Sequence, residues 1–177
     1  MIFLFKSKDW IAELANRNRL AVAFWIITVS YIPLVSVFDA HIREDARIYE
    51  RVADDLLAGK LPYRDITFGY PPYSIPIFVL PRLFGNHYLF SFMILALVAD
   101  SLIKLELCEA GSRQSNQLRG IFPVLIYSVA VPFLRFFYLQ RYDIWPTLLS
   151  LLAVSLFCSG RFALSGLAVA IGTGLKV

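Results

Sequence analysis

The chain has 177 residues, 58% of them hydrophobic and 17% charged, and its mean hydropathy is +0.64. A soluble domain carries about 25% charged residues, so this composition argues against one and for an integral membrane protein built on long apolar runs. The net charge of +4 comes without a basic stripe or an interleaved aromatic patch, which excludes nucleic acid as a partner and fits cytoplasmic loops enriched in Lys and Arg.

Residues 1–19, with Lys6, Lys8, Arg17 and Arg19, read as a cytoplasmic amphipathic N-terminus. Residues 20–38 (LAVAFWIITVSYIPLVSVF) are uncharged and form the first expected span. The run has no cleavage site after it and reads as a retained signal anchor. The basic residues before it place the N-terminus inside and the loop 39–87 outside.

Within that loop, 44–58 (EDARIYERVADDLLA) has helical periodicity. Ile48, Val52 and Leu56 share one stripe, Tyr49, Ala53 and Leu57 lie beside it, and Gly59 suits a stop. Such a juxtamembrane helix is expected to lie in the interface plane. In LPYRDITFGYPPY, the X-Pro steps force extended backbone at Leu61 and Tyr70. The aromatics Tyr63, Phe68, Tyr70 and Tyr73 suit a headgroup-level belt. Residues 71–84 hold four prolines in a run of about 14 residues, which predicts a re-entrant or interfacial segment and not a crossing.

Residues 88–107 form the second expected span, with Asp100 and Lys104 at i, i+4, where they can pair along one face. Arg113 and Arg119 mark 108–120 as a cytoplasmic loop. Residues 121–138 and 144–158 follow as the third and fourth spans, and 162–177 begin a fifth. Cys108 and Cys158 fall near cytoplasmic helix ends, with no CxxC spacing and no disulfide framework. This parity requires that 71–84 does not cross. It puts the 39–70 loop, the Arg141-Tyr142-Asp143 cluster and Lys176 on the same outer side. The closing run LAVAIGTGLKV has no polar tail, so a fragment of a larger polytopic protein is expected, inactive by itself.

Asp45 has two readings. One is a helix-start acid worth about 0.3–1 kcal/mol through the helix dipole; the other is a general base at the membrane edge. Asp39 reads as a boundary residue. Arg64 is either a surface partner of Asp65 or a ligand for phosphate. Asp143 is either a helix-start pair with Arg141 or a functional acid at the outer face. Lys104 and Arg135 are expected to snorkel, and His41 and His87 are isolated. Two carboxylates without a histidine motif make a weak metal site, so no tightly bound cofactor is expected. The absence of a Walker or GxGxxG loop speaks against a nucleotide-sugar site.

Two stretches carry a family resemblance: D-A-R-I-Y-E…G-K-L-P-Y-R-D-I-x-F-x-Y-P-P, and R-Y-D-I-W-P-T-L-L-S-L-L-A…S-G-R…L-S-G-L-A-V-A-I-G-T-G-L-K. In order and separation they resemble the first outer loop and a later helical hairpin of GT-C superfamily membrane glycosyltransferases, nearest the glycosyltransferase 87 (DUF2029) group of polyprenyl-phosphate-mannose-dependent mannosyltransferases. The resemblance covers roughly residues 37–177. It implies an all-α polytopic transmembrane bundle, here the N-terminal module, in the inner (plasma) membrane of a bacterium. It further implies an inverting enzyme that moves a sugar from a polyprenyl-phosphate donor to a glycan or lipid acceptor at the outer face.

By the same resemblance Asp45 falls on the family's first-loop catalytic aspartate, Tyr70 on its Y-P-P motif, Asp143 on the same cavity and Lys176 on its lysine. Arg64, Arg141 or Lys176 would stabilise the leaving phosphate. Gly69 departs from the pattern, because the family usually has an acid there. The alternative from another class is a non-catalytic polytopic membrane protein that binds lipid or assembles with partners, and tolerates Asn at 45 and 143. A transporter would want its charges at the midplane, whereas most here lie at the edge.

Overall fold

The computed structural model describes residues 44–85, 87–112, 117–134 and 141–176. The expected N-terminus 1–19, the first span 20–38, Asp39, His41, Arg113 and Arg135 lie outside the described residues, as does the side chain of Arg119.

The described chain is helical: α1 (Glu44–Leu57), a 3-10 turn (Pro72–Ser74), α2 (Ile75–Leu83), α3 (Tyr88–Ser112), α4 (Gln117–Phe133), α5 (Ile144–Cys158) and α6 (Phe162–Leu175). Among the described residues the only extended pairing is a single bridge between Pro62 and Ile66.

Two helices end the same way. The N–H groups of Gly59 and Lys60 donate to the carbonyls of Leu56 and Asp55, and those of Gly160 and Arg161 to Phe157 and Leu156. Both are Schellman closures, in which the residue after the cap must take a positive φ. Gly59 (φ 85°) and Gly160 (φ 74°) supply it without the cost of a Cβ. The second closure folds α6 back along α5, and these two helices share the most extensive packing in the described chain. Gly172 allows that approach, since a Cβ there would sit 3.4 Å from Leu149 Cβ. Ser165 Oγ donates to the Ala153 carbonyl at 2.8 Å across the same interface.

The proline-rich segment forms one 3-10 turn and the nine-residue α2. At 1.5 Å per residue α2 is about 13 Å long, less than half of an apolar bilayer core of about 30 Å. Arg82 near its end clamps α1, with Nε and Nη2 on Asp54 at 2.7 and 2.9 Å and Nη1 on Glu50 at 3.2 Å.

α3 contains the one described helix long and apolar enough to cross a membrane, Tyr88–Gly111, with 24 residues. At about 36 Å it exceeds the apolar core. Phe90, Ile94, Val98, Leu102 and Leu105 on it are exposed, whereas Phe92, Ala96, Ala99, Asp100, Ile103 and Lys104 are buried. The helix is thus apolar on its exposed side as well as its buried one, unlike a soluble surface helix, whose exposed face is polar. The apolar stretches Phe122–Val131, Ile144–Cys158 and Phe162–Leu175 are shorter, 10–17 residues each. They also present large apolar side chains outward, such as Phe122, Ile126, Val154 and Leu167.

Lys104 does not snorkel. Its Nζ lies 2.7 Å from Asp100 Oδ2 and its side chain is 4% exposed. The carboxylate one turn back and the Tyr127 ring, 6.0 Å from Nζ, hold the ammonium inside, so the stem has no reason to reach for the interface.

Candidate functional site

α1 buries the expected face turned by about one position. Ile48 and Leu57 are exposed, Tyr49, Val52 and Ala53 are buried together with Ala46, and Leu56 packs partly buried against them. The helix therefore docks on protein, along α2 and α3. The reason is aromatic packing. Tyr49 stacks on Phe78 of α2 with ring centroids 4.5 Å apart and meets Phe92 of α3 at 5.6 Å. The small residues Ala46 and Ala53 let the helix settle that closely.

Tyr70 and Tyr142 complete the cluster. Tyr70 meets Tyr49 and Tyr142 edge-on, each at 5.6 Å, and Tyr142 meets Phe78 at 5.4 Å and Tyr49 at 6.0 Å. Edge-to-face geometry at these distances stabilises each pair by about 0.5–1.5 kcal/mol beyond burial. The tyrosines come from three separate places in the chain: α1, the loop before Pro71 and the turn before α5.

The charged residues stand over this cluster. Arg141 Nε is 3.0 Å from Asp45 Oδ2, joining residues 96 positions apart. Lys176 Nζ pairs with Asp143 Oδ1 across 33 positions. Asp143 sits at the N-cap position of α5 yet makes no side-chain cap there, so its carboxylate is directed to Lys176 and not to its own helix. These side chains are 24–57% exposed, which leaves them reachable by a solute.

The environment keeps the phenols protonated. Burial, then neighbouring Tyr70 and Asp45, push Tyr49 far above the usual phenol range. Tyr70 is raised first by burial and further by Asp45. Tyr142 is raised by burial, by Asp143 and by Tyr70. Three neutral O–H groups beside two carboxylates and two cations make a surface that donates and accepts hydrogen bonds, with apolar ring faces beneath.

Of the candidate residues, the structure gathers Asp45, Tyr70, Arg141, Asp143 and Lys176 into this one region. Arg64 is held elsewhere. Its Nε and Nη2 fork onto the two oxygens of Asp65 at 2.8 and 3.1 Å, and its side chain is 73% exposed. Arg64 and the Leu61 N–H hold the Asp65 carboxyl below its ordinary range. This is the surface-pair reading of Arg64, produced by a tight turn. In that turn Tyr63 takes a φ of 65° and donates its hydroxyl to the Tyr70 carbonyl.

Periodicity places Tyr49 beside the apolar stripe of α1 but gives it no role, and it does not single out Tyr142, Tyr73 or Trp145. Tyr73 lies so close to Gly174 that a Cβ there would overlap its ring. The Y-P-P stretch is thereby braced against the end of α6, two residues before Lys176. Trp145 lines an apolar groove of about 220 Å³ with Pro76, Ile77, Leu80, Phe92 and Leu95. The groove shares Phe92 with the aromatic cluster and begins two residues after Asp143. A legible signal existed for Tyr49, since it shares a helical face with Ala46, Val52 and Ala53; the other three depend on tertiary contacts.

The described residues contain no group of three or more His, Cys, Asp or Glu side chains placed to hold a metal ion. No protein-family model, curated protein or solved structure matches this chain.

Proposed function

We propose that the chain acts in a polytopic membrane glycosyltransferase of GT-C type. It moves a sugar, mannose by resemblance, from a polyprenyl-phosphate donor to an acceptor hydroxyl at the outer membrane face. The observation that carries this reading is the meeting of Asp45 with Arg141 and of Asp143 with Lys176 over one tyrosine cluster, beside an apolar groove. Carboxylates serve as bases, cations as phosphate ligands, phenols and ring faces as sugar contacts, and the groove as a seat for an apolar tail.

In this mechanism Asp45 accepts the proton of the acceptor hydroxyl as its oxygen bonds to the anomeric carbon. The bond from that carbon to the phosphate oxygen breaks, its electron pair leaves with the phosphate, and configuration inverts. Arg141 and Lys176 stabilise the phosphate by charge-assisted hydrogen bonds. Asp143 positions Lys176. No general acid is required, because a phosphate is already a good leaving group.

The test is transfer of radiolabelled mannose from polyprenyl-phosphate-mannose to lipid or glycan acceptors, in membranes carrying the protein. Asp45→Asn, expressed to the same level, is expected to abolish transfer. Equal transfer in both forms would remove Asp45 as the base. No transfer from any lipid-linked donor would favour the second reading, a non-catalytic membrane protein in which both ion pairs only tie the outer loop to the helices.

A further inference from the structure

We infer that the binding of a phosphate-bearing ligand at Arg141 and Lys176 is what frees the Asp45 and Asp143 carboxylates. The site would therefore work in a fixed order, with the phosphate ligand first and the acceptor hydroxyl second. This deepens the glycosyltransferase reading and rests on it for the role of Asp45.

The inference follows from who holds whom. The two cations suited to a phosphate are the same two that engage the carboxylates, Arg141 on Asp45 at 3.0 Å and Lys176 on Asp143. A carboxylate oxygen engaged by a guanidinium is not open to accept from a second donor. Without a phosphate, Asp45 Oδ2 is held in that contact.

The exchange is cheap. The pairs are 24–57% exposed, and exposed pairs contribute about 0.2–1 kcal/mol each. A phosphate offers several acceptor oxygens where each carboxylate uses one, and Arg–phosphate pairing is a strong charge-assisted contact. The incoming anion therefore wins the cations at little cost. The displaced carboxylate oxygens are then open to accept from an acceptor hydroxyl.

Both cations belong to elements that meet at this spot for independent reasons. Arg141 precedes α5, packed through Tyr142 into the aromatic cluster. Lys176 follows α6, braced by Tyr73 against Gly174. Arg64 differs in its partner, forking onto both oxygens of the adjacent Asp65.

The test reads carboxylate reactivity with neither sugar nor acceptor present. The protein is placed in phosphatidylcholine nanodiscs and labelled with a carbodiimide and an amine. The labelling rates of Asp45, Asp143 and Asp65 are followed by mass spectrometry. One arm adds inorganic phosphate at constant ionic strength, and another includes undecaprenyl phosphate in the bilayer.

Labelling of Asp45 and Asp143 is expected to rise about 1.4- to fivefold, the factor equivalent to losing one exposed pair each, with Asp65, held by a two-oxygen fork and the Leu61 N–H, as the internal reference. A rise in the lipid arm alone assigns the phosphate to a lipid. A rise in both arms supports the coupling for any phosphate. No rise in either arm overturns the inference.

Arg141→Gln is expected to raise Asp45 labelling without ligand and to make it insensitive to phosphate, while Asp143 still responds. Lys176→Gln should do the reverse. Equal labelling changes at both carboxylates in each single variant would contradict the pairing. Because labelling requires no transfer, the glycosyltransferase reading can fail in its own assay while this coupling holds, and the coupling can fail while transfer is measured.

Discussion

Asp100 and Lys104 are buried inside α3, the one described helix suited by length to cross a membrane. Removing one partner leaves the other as an uncompensated charge, and breaking a buried pair costs about 3–5 kcal/mol. Removing both leaves only a change of shape, and such replacements are often neutral or stabilising. Asp100→Leu and Lys104→Met should therefore each destabilise by about 3–5 kcal/mol, while the double variant stays within about 1–2 kcal/mol of the parent. Asp100→Leu also removes the carboxylate beside Tyr127, which puts it at the upper end. Reversible unfolding by SDS in mixed micelles, analysed as a double-mutant cycle, gives the coupling between the two sites. Coupling near zero, with the double variant as unstable as the sum of the singles, would refute the claim that the two charges are held in by each other.

Three further outcomes follow from local geometry. Gly174→Ala drives a methyl into the Tyr73 ring and should cost about 1–3 kcal/mol in thermal unfolding; a combined Tyr73→Ala change should recover most of it, and no recovery would disprove the contact. Tyr63→Phe removes the hydroxyl donated to the Tyr70 carbonyl and should cost about 0.5–1.5 kcal/mol. Faster amide exchange confined to 61–70 would show it, and unchanged exchange there would exclude it. Arg82→Ala strips the clamp from Asp54 and Glu50. It should cost about 1 kcal/mol, since the pair is partly exposed, and speed exchange in α1 but not in α5; equal effects in both helices would contradict a local role.

Much of the architecture was legible because it rests on local chemistry. Gly59 and Gly160 close their helices through conformations that favour glycine, and the prolines at 71, 72, 76 and 81 leave room for only a short helix after Tyr73. The i, i+4 spacing of Asp100 and Lys104 already contained their ion pair, though not their burial. What was not legible depended on partners distant in sequence. The apolar stripe of α1 is ambiguous by about one position, and the aromatic residues Phe78, Phe92 and Tyr142 rotate it to Tyr49. Arg64 and Arg141 are chemically alike as phosphate ligands. They differ in partner, the tight turn at 61–66 forking Arg64 onto its neighbour Asp65 while Arg141 reaches Asp45 from 96 positions away. No local rule links Asp143 with Lys176, because that pair exists only once α6 has folded back along α5.

The glycosyltransferase reading requires that the paired cluster face outward. α5 runs about 22 Å from Ile144, beside the cluster, to the exposed Cys158 at its other end. Lys60, exposed just after α1, reports the near side when changed to Cys. Membrane-impermeant maleimide applied to intact cells should label Lys60→Cys at once and native Cys158 only after permeabilisation. Immediate labelling of Cys158 with Lys60→Cys protected would invert the topology, place Asp45 and Arg141 on the cytoplasmic side, and contradict a transferase that draws on a lipid-linked donor from outside.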